Sequence, residues 1–197
     1  MASDSSEKLR VLGVVGSPRK GGNTDILVDA VLAGAERAGA ESSKIYLGKL
    51  NLKPCRACEG CKKAGRCVND DDMQLVLSQM DQSTIWVLGT PVYFWGPTGW
   101  FKAFVDRWYG AREHINFAEK KAILAVPFED TKTATARHTV GMIKDALDYM
   151  KTPLLASIVV PGVLNKGDVN SHEETLAAAS RAGYDAVVNH NAALGAE

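Results

Sequence analysis

Short apolar segments recur along the chain, and longer amphipathic segments lie between them. The first apolar segment, VLGVVG, ends in glycine and is continuously apolar, which is typical of a strand buried on both faces. The same pattern predicts four more strands. The predicted strands are Val11–Gly16, Lys44–Leu47, Thr84–Gly89, Ala122–Val126 and Ala156–Val160.

The segments between these strands carry apolar residues at helical spacing. After the first strand, Leu27, Val31, Ala35 and Ala38 form one apolar stripe. The predicted helices are Asp25–Ala38, Asp72–Met80, Thr98–Trp108, Thr135–Met150 and Glu173–His190.

Strands that alternate with helices favour an α/β fold with a parallel sheet and helices on both faces. Five strands predict a flavodoxin-like, doubly wound sheet of strand order 2-1-3-4-5, which binds ligands at the carboxyl ends of its strands. We expect a single domain over residues 1–197, interrupted by a long loop at 51–71 that contains every cysteine.

Composition excludes several classes of protein. The 197 residues include 23 Lys plus Arg and 23 Asp plus Glu, so the net charge is zero, which argues against a nucleic-acid binder. No apolar run approaches the roughly 18–20 residues that cross a membrane. Residues 1–10 are polar and lack the apolar core of a signal peptide. We therefore expect a cytoplasmic protein that binds neither nucleic acid nor membrane.

The loop after the first strand reads GSPRKGGNT and is a candidate anion site. Free backbone N–H groups at the start of a helix bind phosphate, and glycines let the backbone fold around it. The sequence matches neither a Walker loop nor a GxGxxG fingerprint, and its hydroxyls suit the phosphate monoester of FMN. The candidate cofactor residues here are Ser17, Arg19, Gly22, Asn23 and Thr24. The alternative is an ordinary glycine-rich turn in which Asn23 or Thr24 caps the helix.

The loop after the third strand reads TPVYFWGPT and leaves the same edge of the predicted sheet. Its aromatic side chains and backbone amides suit a planar isoalloxazine ring. The candidate ring-binding residues are Pro91, Val92, Tyr93, Phe94, Trp95 and Gly96. Aromatic packing in the core or at a dimer interface is the alternative, and it is preferred for Trp100 and Trp108. The loop after the fourth strand, Pro127–Thr131, is expected on a third side of the ring.

Four clustered cysteines suggest a ligand set rather than a disulfide framework, which would join distant segments. Cys55, Cys58, Cys61 and Cys67 form C-x2-C-x2-C-x5-C, and basic residues surround them. A four-cysteine zinc site is one alternative, although such sites use two separated pairs. Cysteines that bind no metal are another. The carboxylates at 70–72 are expected to cap the next helix.

Together, GSPRKGGNT, DDDM, PVYFWGPTG and KAFVDR resemble the NADPH-dependent FMN reductase family, and VPGVLNKGDV extends the likeness. The four cysteines resemble those of its iron-sulfur flavoprotein branch. The resemblance implies bound FMN and a [4Fe–4S] cluster on Cys55, Cys58, Cys61 and Cys67. It also implies NAD(P)H or ferredoxin as redox partner, and a homodimer or homotetramer in which the cluster of one chain approaches the FMN of another.

The sequence thus predicts an FMN-dependent oxidoreductase that passes electrons between FMN and a [4Fe–4S] cluster. The chemistry is expected to lie in the flavin, so no side chain is assigned as catalytic. The four histidines are scattered without ligand spacing, and Asp106 and Arg107 are expected in a structural ion pair. One alternative is an NAD(P)H-dependent FMN or quinone reductase without a cluster. Another is a flavodoxin-type electron carrier, which zero net charge disfavours.

Overall fold

A computed structural model describes residues 8–194. Five parallel strands form one sheet in the order β2-β1-β3-β4-β5, so the predicted flavodoxin-like topology is confirmed. The strands are β1 Arg10–Val15, β2 Glu41–Tyr46, β3 Ile85–Gly89, β4 Lys121–Pro127 and β5 Leu154–Val160. The two ends of the predicted domain, 1–7 and 195–197, lie outside the described residues.

Seven helices and four short 3₁₀ turns connect the strands in the described part of the chain. The helices are α1 Asn23–Arg37, α2 Gly60–Ala64, α3 Met73–Gln82, α4 Gly99–Asp106, α5 Trp108–Ala111, α6 Arg137–Tyr149 and α7 Glu173–Leu194. The 3₁₀ turns are Leu47–Lys49, Phe117–Glu119, Thr133–Ala136 and Asp168–Ser171.

Several elements differ from the sequence prediction, and the last helix, α7, ends at Leu194 rather than His190. The edge strand β2 begins at Glu41 rather than Lys44. Its first residues pair with β1 but are polar, so hydrophobicity did not reveal them. The predicted helix Thr98–Trp108 is divided at Arg107, whose side chain is buried. The cysteine loop, residues 51–71, contains the short helix α2, which the sequence did not predict.

The sheet separates two apolar cores, since successive side chains of a strand point to opposite faces. Leu12 and Val14 of β1 pack with α3, α4, α5 and α6 on one face. Val11 and Val15 pack with α1 and α7 on the other face. No helix among residues 8–194 is long and apolar enough to cross a membrane.

Helices α1 and α7 approach closely because glycines lie where they meet. A Cβ atom on Gly34 would lie 1.8 Å from the Ser180 carbonyl oxygen, and one on Gly183 would lie 1.9 Å from the Val31 carbonyl oxygen. Each glycine therefore allows one helix backbone to touch the other. This contact lies in the C-terminal half of α1, at the other end of the helix from the candidate anion site.

Candidate flavin site and cysteine loop

Loops at the carboxyl ends of four strands surround a cavity of about 200 Å³, which we call the strand-end cavity. These loops follow β1, β3, β4 and β5. Its lining residues are Ser17, Arg19, Asn23, Thr24, Pro91, Val92, Tyr93, Pro127, Phe128, Glu129, Val163 and Leu164. A larger cavity of about 720 Å³ lies between β5 and α7, and no predicted site residue lines it.

The amino terminus of α1 opens on the first loop without a capping side chain, because its N-cap residue is Gly22. The N–H groups of a helix's first turn have no partner within the helix, and the helix dipole favours an anion there. Gly21 has φ of +68°, a conformation that a residue with a Cβ atom rarely adopts. The backbone is thus arranged to receive a negatively charged group.

The buried carboxylate of Asp25 fixes the loop after β1. Asp25 accepts hydrogen bonds from the Gly21 backbone N–H at 2.6 Å, from Lys44 Nζ at 2.6 Å and from the Tyr46 hydroxyl at 3.0 Å. Burial alone would raise the pKa of the Asp25 carboxyl, but the hydrogen bonds from Lys44, Gly21 and Tyr46 hold that pKa below its ordinary value. Sequence analysis missed Asp25, because its partners Lys44 and Tyr46 come from another strand.

Two candidate phosphate ligands are joined to the loop after β5. The Asn23 side chain donates to the Asn165 carbonyl at 2.9 Å and accepts from the N–H groups of Gly167 and Val169. Arg19 Nη1 donates to the Leu164 carbonyl at 2.9 Å. The Asn23 side chain therefore organises the site by joining two loops, a role that the sequence did not predict.

Thr98 connects the loops after β1 and β3. Its buried hydroxyl donates to the Gly16 carbonyl at 2.6 Å and accepts from the Phe101 N–H at 3.2 Å, which caps α4. Its backbone N–H donates to the Thr90 hydroxyl at 3.2 Å. These contacts fix one loop relative to the other.

The aromatic segment forms a tight two-residue turn. Tyr93 and Gly96 exchange two backbone hydrogen bonds, of 2.8 and 3.1 Å, across Phe94 and Trp95. Both central residues have positive φ, of 48° and 63°, which is uncommon for side chains of this size. Phe94 is 95% exposed, and the Trp95 carbonyl accepts a hydrogen bond from Thr139 of α6. The turn thus carries exposed aromatic surface beside the strand-end cavity.

The four cysteines line a second, small cavity of about 30 Å³, the cysteine cavity. Cys61 is buried, Cys67 is half-buried, and Cys55 and Cys58 are exposed. A Cβ atom on Gly110 of α5 would lie 3.1 Å from Cys61 Cβ and 3.6 Å from Cys67 Cβ, so this glycine leaves room for both side chains. Within residues 8–194, however, no three His, Cys, Asp or Glu side chains converge closely enough to hold one metal ion.

A buried ion pair closes the base of the cysteine loop. The Arg107 guanidinium donates to both carboxylate oxygens of Asp71, at 2.6 and 3.1 Å, and to the Lys53 carbonyl at 2.8 Å. Asp71 also accepts from the backbone N–H groups of Lys53 and Met73. The expected cap is not formed by the N-cap residue Asp72, whose carboxylate accepts from the Asn51 N–H instead. Arg107 is thus in a structural ion pair, but Asp106 is in a separate one with Lys102.

The pKa values of this buried pair favour its charged form. Burial would raise the pKa of Asp71, but hydrogen bonds from Arg107 and the Lys53 backbone lower it below its ordinary value. Burial would lower the pKa of Arg107, but Asp71, followed by Cys67, raises it. The ion pair therefore stays charged in the folded chain.

The structure brings together seven of the predicted cofactor residues. Ser17, Arg19, Asn23, Thr24, Pro91, Val92 and Tyr93 line the strand-end cavity, whereas Gly22, Phe94, Trp95 and Gly96 lie outside its lining. Sequence analysis missed Val163 and Leu164, although both belong to the segment VPGVLNKGDV, which resembles the family. Trp108 is buried in the core as expected, and Trp100 is exposed.

Comparison with known proteins gives matches to flavoproteins. A family model described as NADPH-dependent FMN reductase matches residues 9–165. An iron-sulfur flavoprotein of Archaeoglobus fulgidus is 35% identical over 155 residues, which are 78% of this chain and 66% of that protein. One of Methanocaldococcus jannaschii is 38% identical over 99 residues, which are 50% of this chain and 51% of that protein. The matched region thus spans about half to two thirds of these relatives.

Solved structures show the same fold. An azoreductase of Bacillus anthracis superposes with a TM-score of 0.68 at 17% identity, covering 91% of this chain and 98% of that one. At this identity the likeness extends to the arrangement of strands and helices alone.

Proposed function

The chain belongs to the NADPH-dependent FMN reductase family, a family of flavin-dependent oxidoreductases, and to its iron-sulfur flavoprotein branch. From this membership we propose that it passes electrons between FMN and a [4Fe–4S] cluster on Cys55, Cys58, Cys61 and Cys67. The observation that carries the flavin proposal is the convergence of the loops after β1, β3, β4 and β5 on one cavity beside an uncapped helix terminus.

The strand-end cavity suits the polar end of FMN. Its volume of about 200 Å³ is below the roughly 300–1,000 Å³ of pockets that enclose a whole ligand of this size. The first-turn N–H groups of α1 would bind the phosphate, together with the hydroxyls of Ser17 and Thr24 and the charge of Arg19. The flavin ring would extend to the rim of the cavity.

The aromatic turn at Tyr93–Gly96 stands at that rim. Backbone N–H groups and the flat side chains of Tyr93, Phe94 and Trp95 would contact the ring there. The apolar lining at Pro91, Val92 and Phe128 would exclude water from its inner face. When bound, FMN supplies hydride and single-electron chemistry, and these residues hold it and control its access to solvent.

The cluster proposal depends on the chemistry and position of four thiols. All four line one cavity, a glycine leaves room for two of them, and basic side chains at 53, 56, 62, 63 and 66 offset negative charge. A cubane cluster bonds each cysteine through a different iron, so its ligands stand farther apart than those around one ion. Zinc needs four ligands about one point, and no three such side chains converge among the described residues.

The remaining parts of this proposal concern partners. The family description favours NAD(P)H as electron donor, with a ferredoxin-like protein as the alternative. The shallow strand-end cavity and the exposed Phe94 favour a homodimer or homotetramer in which a second chain covers the flavin ring.

A second candidate is an NAD(P)H-dependent FMN or quinone reductase that has no cluster. It is favoured by one observation, that no three metal-binding side chains meet within the described residues. In this case the cysteine loop would be structural, held by the ion pair at its base.

Purification without oxygen, followed by assay of FMN, iron and acid-labile sulfide per chain, separates the two candidates. We expect one FMN with about four irons and four sulfides. A Cys58→Ser, Cys61→Ser variant should lose the iron and keep FMN. A Ser17→Ala, Arg19→Gln variant should contain less FMN than the unaltered chain. If the unaltered chain contains FMN but no iron, the reductase without a cluster is the function supported. A chain that contains no FMN would overturn both candidates.

A further inference from the structure

Arg107 is buried and uses only part of its guanidinium in the ion pair with Asp71. Its side chain is 1% exposed. Nη1 and Nη2 donate to Asp71 and to the Lys53 carbonyl, whereas the Nε–H group has no hydrogen-bond partner among the described residues. Such orphaned buried donors are rare in folded proteins and point to a missing acceptor.

The cysteine cavity is where that acceptor can lie, because Arg107 lines it together with all four cysteines. Two carboxylates on its wall have cationic partners of their own, Glu59 with Lys62 and Asp106 with Lys102. Cysteine sulfurs that ligate a cluster carry negative charge, and a buried cationic donor favours such acceptors.

Among the four sulfurs, those of Cys61 and Cys67 are the best placed, because these two cysteines are not exposed. Gly110, three residues after Arg107, packs against the Cβ atoms of both. The Cys67 carbonyl is held at 2.9 Å by the Gln74 side chain, which fixes this end of the loop. Trp108 Nε1 is also buried without a partner, but Trp108 does not line the cavity.

We propose that Arg107 Nε–H donates a hydrogen bond to the sulfur of Cys61 or Cys67 when that sulfur ligates the cluster, and thereby raises the reduction potential of the cluster. The inference rests on the proposed function. A charged donor stabilises the more negative, reduced state more than the oxidised state, and hydrogen bonds to cluster sulfurs are an established determinant of potential. Arg107 is then a positioning and tuning residue, which acts through the ligand.

Potentiometric titration of the anaerobically purified chain tests the energetic part. Arg107→Lys keeps the charge and can still pair with Asp71, but it has no Nε–H group. We expect the ratio of reduced to oxidised cluster at a fixed potential to fall about tenfold, which for a one-electron couple is about 59 mV. The matched control is Arg56→Lys, the same substitution at an exposed residue that lines the same cavity. It should change the ratio little, and equal shifts in both variants would overturn the proposal.

Electron–nuclear double resonance of the reduced cluster tests the contact itself and needs no variant. Chain labelled with ¹⁵N in the arginine guanidinium should show a ¹⁵N coupling that persists in Arg56→Lys and disappears in Arg107→Lys. A cluster without this coupling overturns the inference and leaves the proposed function intact. A chain that binds FMN but no iron overturns the cluster and this inference together. If Arg107→Lys fails to fold, the labelled unaltered chain and its Arg56→Lys variant still test whether an arginine other than Arg56 contacts the cluster.

Discussion

Asp25 joins three separate parts of the chain at the start of α1. Its 2% exposed carboxylate receives donors from the first loop and from two residues of β2, Lys44 and Tyr46. The sequence placed Asp25 only at the start of a helix, because a local pattern does not show which distant side chains fold against it.

Replacing Asp25 by Asn should lower the free energy of unfolding by about 2–3 kcal/mol at pH 7, since a buried charged acceptor is lost. The pKa of Asp25 is lowered in the folded state, so its contribution is present above the unfolded pKa and is lost as the pH falls through the folded value. The unaltered chain should therefore lose more stability than Asp25→Asn when the pH falls below about 4.

Urea unfolding at pH 7 and at several acidic values measures both effects of Asp25. Asp29→Asn is the matched control, because Asp29 also pairs with Lys44 but has a largely exposed side chain. Equal losses of stability in the two variants would contradict the role given to Asp25.

Thr98 offers a second test at the level of one side chain. Thr98→Val removes the hydrogen bond to the Gly16 carbonyl and the cap on α4, and should lower the free energy of unfolding by about 1–3 kcal/mol. FMN should also bind more weakly, because the first loop is released. Thr98→Ser keeps the hydroxyl and should retain most of both properties, as measured by urea unfolding and flavin fluorescence titration.

The site residues that could be predicted from the sequence are those set by topology alone. Ser17 and Tyr93 line one cavity because β1 and β3 are neighbours whose carboxyl ends share an edge. The partners of Arg19 and Asn23 could not be predicted, since they are backbone groups at 164–169 in a loop of irregular conformation. Hydrophobic periodicity carries no information about such contacts.

At the scale of elements, α1 and α7 meet backbone to backbone. Gly34→Ala would place a methyl group 1.8 Å from the Ser180 carbonyl oxygen, so the helices must move apart. We expect a loss of about 1–3 kcal/mol in the free energy of unfolding. Gly141→Ala in α6 is the control. A Cβ atom there meets nothing within 4 Å, and the change should stabilise the chain by about 0.5–1 kcal/mol. Thermal unfolding of both variants decides whether this glycine contact is needed.

A helix boundary was predictable where the apolar periodicity stops at a loop. It was not predictable where the periodicity continues through the boundary. The apolar pattern runs without interruption through FVDRW, but the chain divides there into α4 and α5 because Arg107 turns inward to Asp71. The partner of Arg107 lies 36 residues away, so no local pattern shows the break. Helix α2 has only five residues, too few to reveal a period.

For the molecule as a whole, the four cysteines lie outside both cores. The two clusters of buried apolar residues contain no cysteine, and the base of the cysteine loop is closed by protein groups. The iron-free chain should therefore remain folded, with an unaltered far-ultraviolet circular dichroism spectrum and a cooperative thermal transition. Zinc fingers, by contrast, unfold when their metal is removed. A broad transition after iron removal would contradict this expectation.

The aromatic turn at Tyr93–Gly96 has a consequence for how this protein would change under selection. Asn-Gly suits two central residues at positive φ, whereas Phe94 and Trp95 hold that conformation at a cost in stability. A laboratory selection for thermal resistance alone should therefore readily accept polar or glycine replacements at these positions. A selection that also demands flavin-dependent turnover should reject these replacements. Thermal stability and turnover thus favour different residues at positions 94 and 95.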